Sequence, residues 1–225
     1  AWNSVEKLPW WWEPFHHIWF TVPAILIIPA ALAFLLGYAN FRRRVSGVYF
    51  AIVTLSVSAI MAIVIIGQQG VTGGINGITD FKTFLGLDLD NDRAKLVMYF
   101  ITAVLLICIV AAGQFILRSR LGRVLVAIRD GGDRVRFTGY DSAMFQAFVF
   151  AVAALFAAIG GAMFTIQIGL ASPALVGIIP SIEMVIYAAV GGRLSLIGAV
   201  YGAFLVNLAK TFFSENFVEY WIYFR

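Results

Sequence analysis

The chain has 225 residues, of which 61% are hydrophobic types and only 12% are charged, against roughly 25% charge in a soluble domain. With a mean hydropathy of +0.91, so much apolar surface cannot be hidden from water in a protein of this size. A soluble globular domain is excluded and the solvent must be lipid. The net charge of +4 is small and sits in two clusters, which fits orientation in a membrane rather than nucleic-acid binding.

The start, Ala1 to Pro14, has no basic leader and no small-residue cleavage site, so it does not read as a signal peptide. It also lacks an initiator Met, and the chain is expected to be an internal piece of a longer protein. Trp2, Trp10, Trp11, Trp12 and Trp19 mark a membrane–water interface, where an amphipathic indole sits at headgroup depth. A first span is predicted from about Ile18 to Phe41, with Pro23 and Pro29 inside it and Arg42, Arg43 and Arg44 at its end. A second runs from about Val48 to Gly67. Its Thr54, Ser56 and Ser58 form a polar stripe suited to hydrogen bonding between helices or to lining a pathway.

A polar stretch rich in Gly and Asp follows, Gln68 to Lys95, and then a third span, about Leu96 to Leu117. The segment Arg118 to Asp141 is too polar to cross lipid. A fourth span covers about Met144 to Ile168, a linker Gly169 to Pro180, a short apolar piece Ser181 to Gly192, and a last span about Leu194 to Phe213. The short piece would cover about 18 Å as a helix, less than the ~30 Å hydrocarbon core. It must recruit part of the linker or form a half-helix, as interrupted segments beside substrate pathways do. If the chain starts outside, the Arg42–Arg44 triplet and the six Arg of 118–141 both fall on the cytoplasmic side. Gly198 with Gly202, and Gly160 with Gly161 and Ala157, provide small-residue surfaces for close helix contact. The single Cys108 excludes an internal disulfide and reads as a core side chain.

Few residues offer chemistry. Glu183 is the one acid in an apolar segment, so it must meet a partner or a water-filled cavity. The candidate partners are Arg193 or backbone donors near Pro180, and a place in a substrate pathway is the alternative. The loop Thr72-Gly73-Gly74-Ile75-Asn76-Gly77 lacks the Lys-Ser/Thr pair and the preceding strand of a phosphate loop. A lining of exposed backbone and small polar groups is the better expectation. His16 and His17 are adjacent and point apart on a helix, which makes a poor metal pair. No arrangement for nucleophilic or paired-carboxylate catalysis occurs, so neither an enzymatic role nor a cofactor is expected.

The polar segment carries the sharpest pattern. Leu121 to Asp130 predicts a short helix with Leu121, Leu125 and Ile128 on one face. Gly131-Gly132 would break it, and Asp133 to Phe137 would form a second piece ending at Gly139-Tyr140. A basic amphipathic element outside the bilayer fits a groove on a soluble partner. It fits equally well a positive loop that only fixes topology.

Gly122-Arg123, Ala127-Ile128-Arg129-Asp130 and Gly139-Tyr140-Asp141 resemble the coupling loop of permeases in the branched-chain amino acid and urea ABC transporters. Gly47 to Thr54, Gly73 to Gly77, Ser181-Ile182-Glu183 and Val190-Gly191-Gly192 agree in the same order, so the resemblance spans nearly the whole chain. Three stretches look most like the urea permease: Gly77 to Lys82, Val190 to Arg193 and Val206 to Phe213; the tail Glu215 to Trp221 is also similar. Val218 departs from the usual Pro there, and Gly131-Gly132 departs from the more polar residues usual in the coupling loop.

The resemblance implies an all-α polytopic transmembrane bundle with broken or half helices, one permease domain over residues 1–225, and a cytoplasmic coupling loop at 118–141. It also implies that the chain is incomplete at both ends. The implied partners are a second homologous permease, two cytoplasmic ATPases, an extracytoplasmic binding protein and the bilayer of the bacterial inner membrane; no nucleotide or nucleic acid should bind this chain. Leu121, Gly122, Arg123, Ala127, Ile128, Arg129, Asp130, Gly139 and Tyr140 are the expected coupling residues. Among them Leu121 and Ile128 are expected to enter the ATPase groove, and Arg129 to pair with an acid at its rim.

Thr54, Asn76 and Glu183 are the expected pathway residues. Urea, or a short amide, suits hydroxyl, amide and carboxylate groups without a counter-charge. A zwitterion would want paired charges, and only Arg193 or Lys210 could stand as a cation beside the acid. A branched-chain amino acid permease, a channel without ATPases and a structural membrane subunit are the alternatives.

Overall fold

The computed structural model describes residues 13–15, 17–45, 47–68, 72–79, 83–84, 87–88, 91–192 and 194–216. The expectations placed on Trp2, Trp10 to Trp12, His16, Asp80, Lys82, Arg193 and the tail from Phe217 lie outside those residues. Seven α-helices are described: α1 (Ile18–Arg42), α2 (Val48–Gly67), α3 (Asp92–Arg118), α4 (Arg120–Phe137), α5 (Ser142–Ile168), α6 (Ile178–Gly191) and α7 (Leu196–Asn216). α1, α2, α3, α5 and α7 are long and apolar enough to cross a membrane. The chain is an all-α polytopic bundle. Its only described strands are two-residue segments, β1 (Ile78–Thr79) paired antiparallel with β4 (Leu170–Ala171), and β2 (Thr83–Phe84) with β3 (Leu87–Asp88). Large side chains such as Ile27, Ile63, Ile107 and Phe204 are exposed along the spans, as they are where lipid or a neighbouring subunit replaces water.

The chain divides into two compact units, residues 1–176 and 177–225. In the first, α1 and α5 form the main packed pair. Small residues let them approach: Ala33 and Gly37 of α1, and Ala143 and Ala147 of α5, are buried. A Cβ added at Gly37 would touch the Phe150 ring at 3.0 Å and the Ala147 Cα at 3.5 Å. The end of α1 therefore meets the start of α5, and the pair is antiparallel. α1 is continuous through Pro23 and Pro29. It stops where Arg44 turns left-handed and the Val45 N–H returns to the Asn40 carbonyl.

Phe41, Phe50 and Phe150 close the same end of the unit, with ring centroids 4.9 Å apart for Phe41–Phe50 and 5.4 Å for Phe50–Phe150. That cluster gathers the end of α1, the start of α2 and the start of α5. At the opposite end, Gln167 of α5 donates to Thr102 Oγ1 of α3 at 2.7 Å, so α3 also runs antiparallel to α5. The Arg42–Arg44 triplet and α4 consequently lie at one end of the unit, which is the arrangement the distribution of Arg predicts.

The second unit is a hairpin of α6 and α7. α6 takes in Ile178 to Pro180 from the linker; Pro180 is tolerated in the first turn because its missing N–H is not needed there. Its 14 residues reach about 21 Å, still short of a full crossing. Gly191, Gly198 and Gly202 bring the two backbones into direct contact: a Cβ on Gly191 or Gly202 would strike the carbonyl of Gly198 or Tyr187 respectively. This gives the Gly198/Gly202 pair its packing role inside the chain.

Candidate functional site: a docked helix and two polar clusters

α4 follows α3 after a single residue, Ser119, whose extended backbone (φ −73°, ψ 176°) caps both helices. The Ser119 hydroxyl donates to the Ile116 carbonyl at 2.6 Å and accepts from the Gly122 N–H at 3.5 Å. Gly122 is buried against the carbonyls of Ile116 and Leu117, where any Cβ would collide. A glycine at this position is what lets the chain turn so sharply out of α3.

α4 packs on α3 and α5. Leu121, Val124, Leu125 and Ile128 turn toward the protein, and Ile128 is only 7% exposed. Arg123, Val126, Ala127 and Asp130 repeat at i, i+3, i+4 and i+7 on the outer face, with Val126 45% exposed. The amphipathic period is the one the sequence predicts, and its apolar face turns toward the chain itself. Ile128, expected in a partner's groove, is held by its own chain, because an apolar stripe is buried most cheaply on the nearest apolar surface. Arg129 reaches Asp130 at 2.9 Å, with both side chains about 60% exposed, so the pair is weak and leaves both charges accessible.

The break at Gly131 (φ −164°, ψ 63°) stands where the glycine pair predicts it. Beyond it Arg136 lies 4.0 Å from Asp133 and donates to the buried Ser142 hydroxyl at 2.7 Å, joining α4 to the start of α5. Gly139 adopts φ +87°, a conformation side chains rarely accept. Asp141 caps α5 by accepting the Ala143 N–H at 3.0 Å. The Gly139-Tyr140-Asp141 run is thus a turn and a helix cap in sequence. Phe137 is 91% exposed at the end of α4, and Tyr140 is half-exposed beside Phe145.

At the far end of this unit, Gly73 and Gly77 (φ +75° and +70°) place their loop directly on backbone; a Cβ on Gly77 would collide with Ala171 and Ser172. A cavity of about 240 Å³ opens beside the loop, lined by Ile65, Thr72, Ile78, Thr165, Ser172 and Val176 among others. Thr72 and Thr165 spend their hydroxyl protons on carbonyls of their own segments. Asn76 is exposed in the 3₁₀ turn Gly74–Asn76. Thr54 is half-buried and donates to the Phe50 and Ala51 carbonyls of its own helix, whereas Ser58 reaches Val176 O at 2.8 Å. Neither Thr54 nor Asn76 lines the cavity.

Glu183 belongs to the second unit. Lys210 Nζ donates to its Oε1 at 2.7 Å, and Tyr187 Oη lies 3.4 Å from Oε2. The lysine also stands 5.9 Å from the Tyr187 ring centroid. Glu183 therefore has a cation beside it, and of the two candidates, Arg193 and Lys210, it is Lys210 that the described residues bring to it. A lone Glu and a lone Lys in neighbouring apolar helices were the available signal.

The family model for the permease component of branched-chain amino acid transport systems matches residues 3–223. The chain belongs to that family. It is 26% identical over 224 residues to the high-affinity branched-chain amino acid transport system permease protein LivM of Escherichia coli strain K12, covering 90% of this chain and 52% of that protein. LivM of Salmonella typhimurium strain LT2 matches over the same shares at 26% identity. BraD of Pseudomonas aeruginosa, another permease protein of that description, is 31% identical over 103 residues, covering 46% of this chain and 33% of its own. The chain spans about half the length of the LivM relatives. No solved structure matches it. As a permease-family member with five described helices long and apolar enough to span, it is a multi-pass protein of the bacterial inner membrane.

Proposed function

We propose that the full-length protein is one of two permease subunits of an ATP-driven importer, and that its solute is urea or a short amide. The observation that carries the importer reading is α4. It is an amphipathic helix seated by its apolar face, with Arg123, Val126, Ala127 and Asp130 turned outward at the Arg-rich end of the first unit. Such an element is rigid enough to receive a push and exposed enough to be gripped. The partners are a homologous permease, two ATPases acting on α4 from the cytoplasm, and an extracytoplasmic binding protein. Arg123 and Arg129 meet acids at the rim of the ATPase groove, Val126 and Ala127 enter it, and Gly122, Gly139 and Tyr140 hold the helix in place. Thr54, Asn76 and Glu183 are assigned to the pathway.

For the solute, the Glu183–Lys210 pair removes the argument that the acid stands alone. Urea is supported by the stretches that resemble urea permeases, one of which, Val206 to Phe213, contains Lys210. It is supported also by the fact that two charges already satisfying each other ask no net charge of the solute. The second reading, a branched-chain amino acid, is favoured by the relatives' names and by the same pair, whose opposite charges a zwitterion could bridge.

The test reconstitutes the full-length protein with its partner permease, ATPases and binding protein, and follows ATP hydrolysis with urea and then with leucine. Stimulation by urea alone bears out the proposal. Stimulation by leucine alone keeps the importer and replaces the solute. Indifference to both refutes an importer of either.

A further inference from the structure

We infer that Lys210 and Tyr187 form, with Glu183, a solute-contacting polar site of the second unit, one that takes a small amide-like solute by offering a donor and an acceptor side by side. The inference rests on the importer reading and adds residues to it.

The three groups sit on the packed face of the α6–α7 hairpin. Gly202 fits against the Tyr187 carbonyl, and Glu183 lies one helical turn further from the Gly191–Gly198 contact than Tyr187 does. Lys210 is two turns beyond Gly202, and its long side chain leans back toward the start of α7, as helical side chains do, to reach Glu183 at 2.7 Å. The position is therefore nearer the start of α6 than its end. It stands about 12 Å along α6 from Gly191, counting eight residues at 1.5 Å each.

Two features separate this pair from a simple staple. The glycine contacts already hold α6 against α7 backbone to backbone, so the hairpin does not need an ion pair to close. And the pair is not sealed: Lys210 and Glu183 remain 40% and 41% exposed. Charges in a spanning segment face a partner or a water-filled path rather than lipid. A charge pair left open on one side among apolar helices therefore fits a wetted surface. The ammonium has three protons and gives one to Oε1; the carboxylate keeps acceptor capacity on both oxygens. A planar amide can give an N–H to Glu183 and accept from Lys210 through its carbonyl, while the Tyr187 ring covers one side. Urea, acetamide and similar solutes satisfy both contacts at once without breaking the pair.

The experiment measures uptake of urea, acetamide and leucine by the complete transporter in proteoliposomes, with the assembled complex quantified in each preparation. Glu183→Gln and Lys210→Met are each expected to raise KM on the order of tenfold, the loss of one hydrogen bond to a charged group. The decisive variant exchanges the charges, Glu183→Lys with Lys210→Glu. A staple would be rebuilt by the exchange, whereas a solute site would have its donor and acceptor reversed. The expectation is restored assembly with KM still raised. Recovery of both assembly and wild-type KM would overturn the inference, as would single variants with unchanged KM for every solute. Lys210→Arg keeps the pairing and covers the case in which the other variants fail to assemble. It should assemble and shift the urea-to-acetamide KM ratio, and an unshifted ratio overturns the site. Wild-type transporter that takes up none of the three solutes would refute the importer reading itself, and the site falls with it.

Discussion

Ile128 and Val126 stand two residues apart on α4 and should fail in opposite ways. Ile128 is 7% exposed and Val126 45% exposed. Truncating a buried Ile to Ala costs about 2–5 kcal/mol, least where the surroundings can collapse. α4 rests on α3 and α5 with its outer face open, so the low end, about 2 kcal/mol, applies to Ile128→Ala. At a factor of ten per ~1.4 kcal/mol, the undocked population of α4 rises roughly 30-fold. Hydrogen exchange reads this directly: amides of residues 121–130 should exchange roughly 30-fold faster, while those of the α1–α5 pair stay protected. Val126→Asp should leave exchange near wild type, since exposed substitutions usually stay within about ±0.5 kcal/mol. On the proposed function it should nevertheless abolish solute-stimulated ATP hydrolysis by putting a carboxylate into the face assigned to the ATPase. Wild-type exchange in Ile128→Ala, or loosening by Val126→Asp of similar size, would refute the assignment of inner and outer faces.

Two further perturbations probe glycines whose missing side chains the fold requires. Gly122→Ala pushes a Cβ into the Ile116 and Leu117 carbonyls and should destabilise the α3–α4 turn by about 1–3 kcal/mol; a melting temperature equal to wild type in detergent would contradict the close approach. Gly77→Ala combines φ +70° with a collision against Ala171 and Ser172, so limited proteolysis should cut residues 72–79 several-fold faster. Equal cutting rates would show that the loop does not rest on β4.

The spans were legible because lipid imposes a simple rule: a long apolar run bounded by charge becomes a helix. The second span was predicted to the residue, and the others within a few. The break after Asp130 was legible too, since two consecutive glycines interrupt an otherwise clear period. What one sequence could not give was the direction of a face. Leu121, Leu125 and Ile128 announce that they will be buried, but not whether against the chain or against a partner. The β1–β4 pairing was hidden for a related reason. Two residues, Ile78 and Thr79, meet two others over ninety positions away, with no periodicity to betray them. That the Thr54 hydroxyl bonds its own helix, as Thr commonly does in an apolar helix, was not legible either. Lys210 could be named as a candidate partner of Glu183, and only the hairpin geometry selects it.

α5 has 27 residues and is therefore about 40 Å long. One end is tied to α4 by Arg136 at Ser142, and the other runs into β4, where Leu170 and Ala171 meet the glycine loop beside the cavity. Mechanically it is a strut with no proline along it. A tilt of six degrees at the Arg-rich end would displace the cavity wall by roughly 4 Å over that length. Its weakest point is Gly160-Gly161, where a Cβ added at either glycine would meet no neighbouring element within 4 Å and where small-residue pairs let helices bend. On the proposed importer reading, any motion passed from α4 to the cavity would depend on the stiffness of those two residues as much as on the displacement of α4.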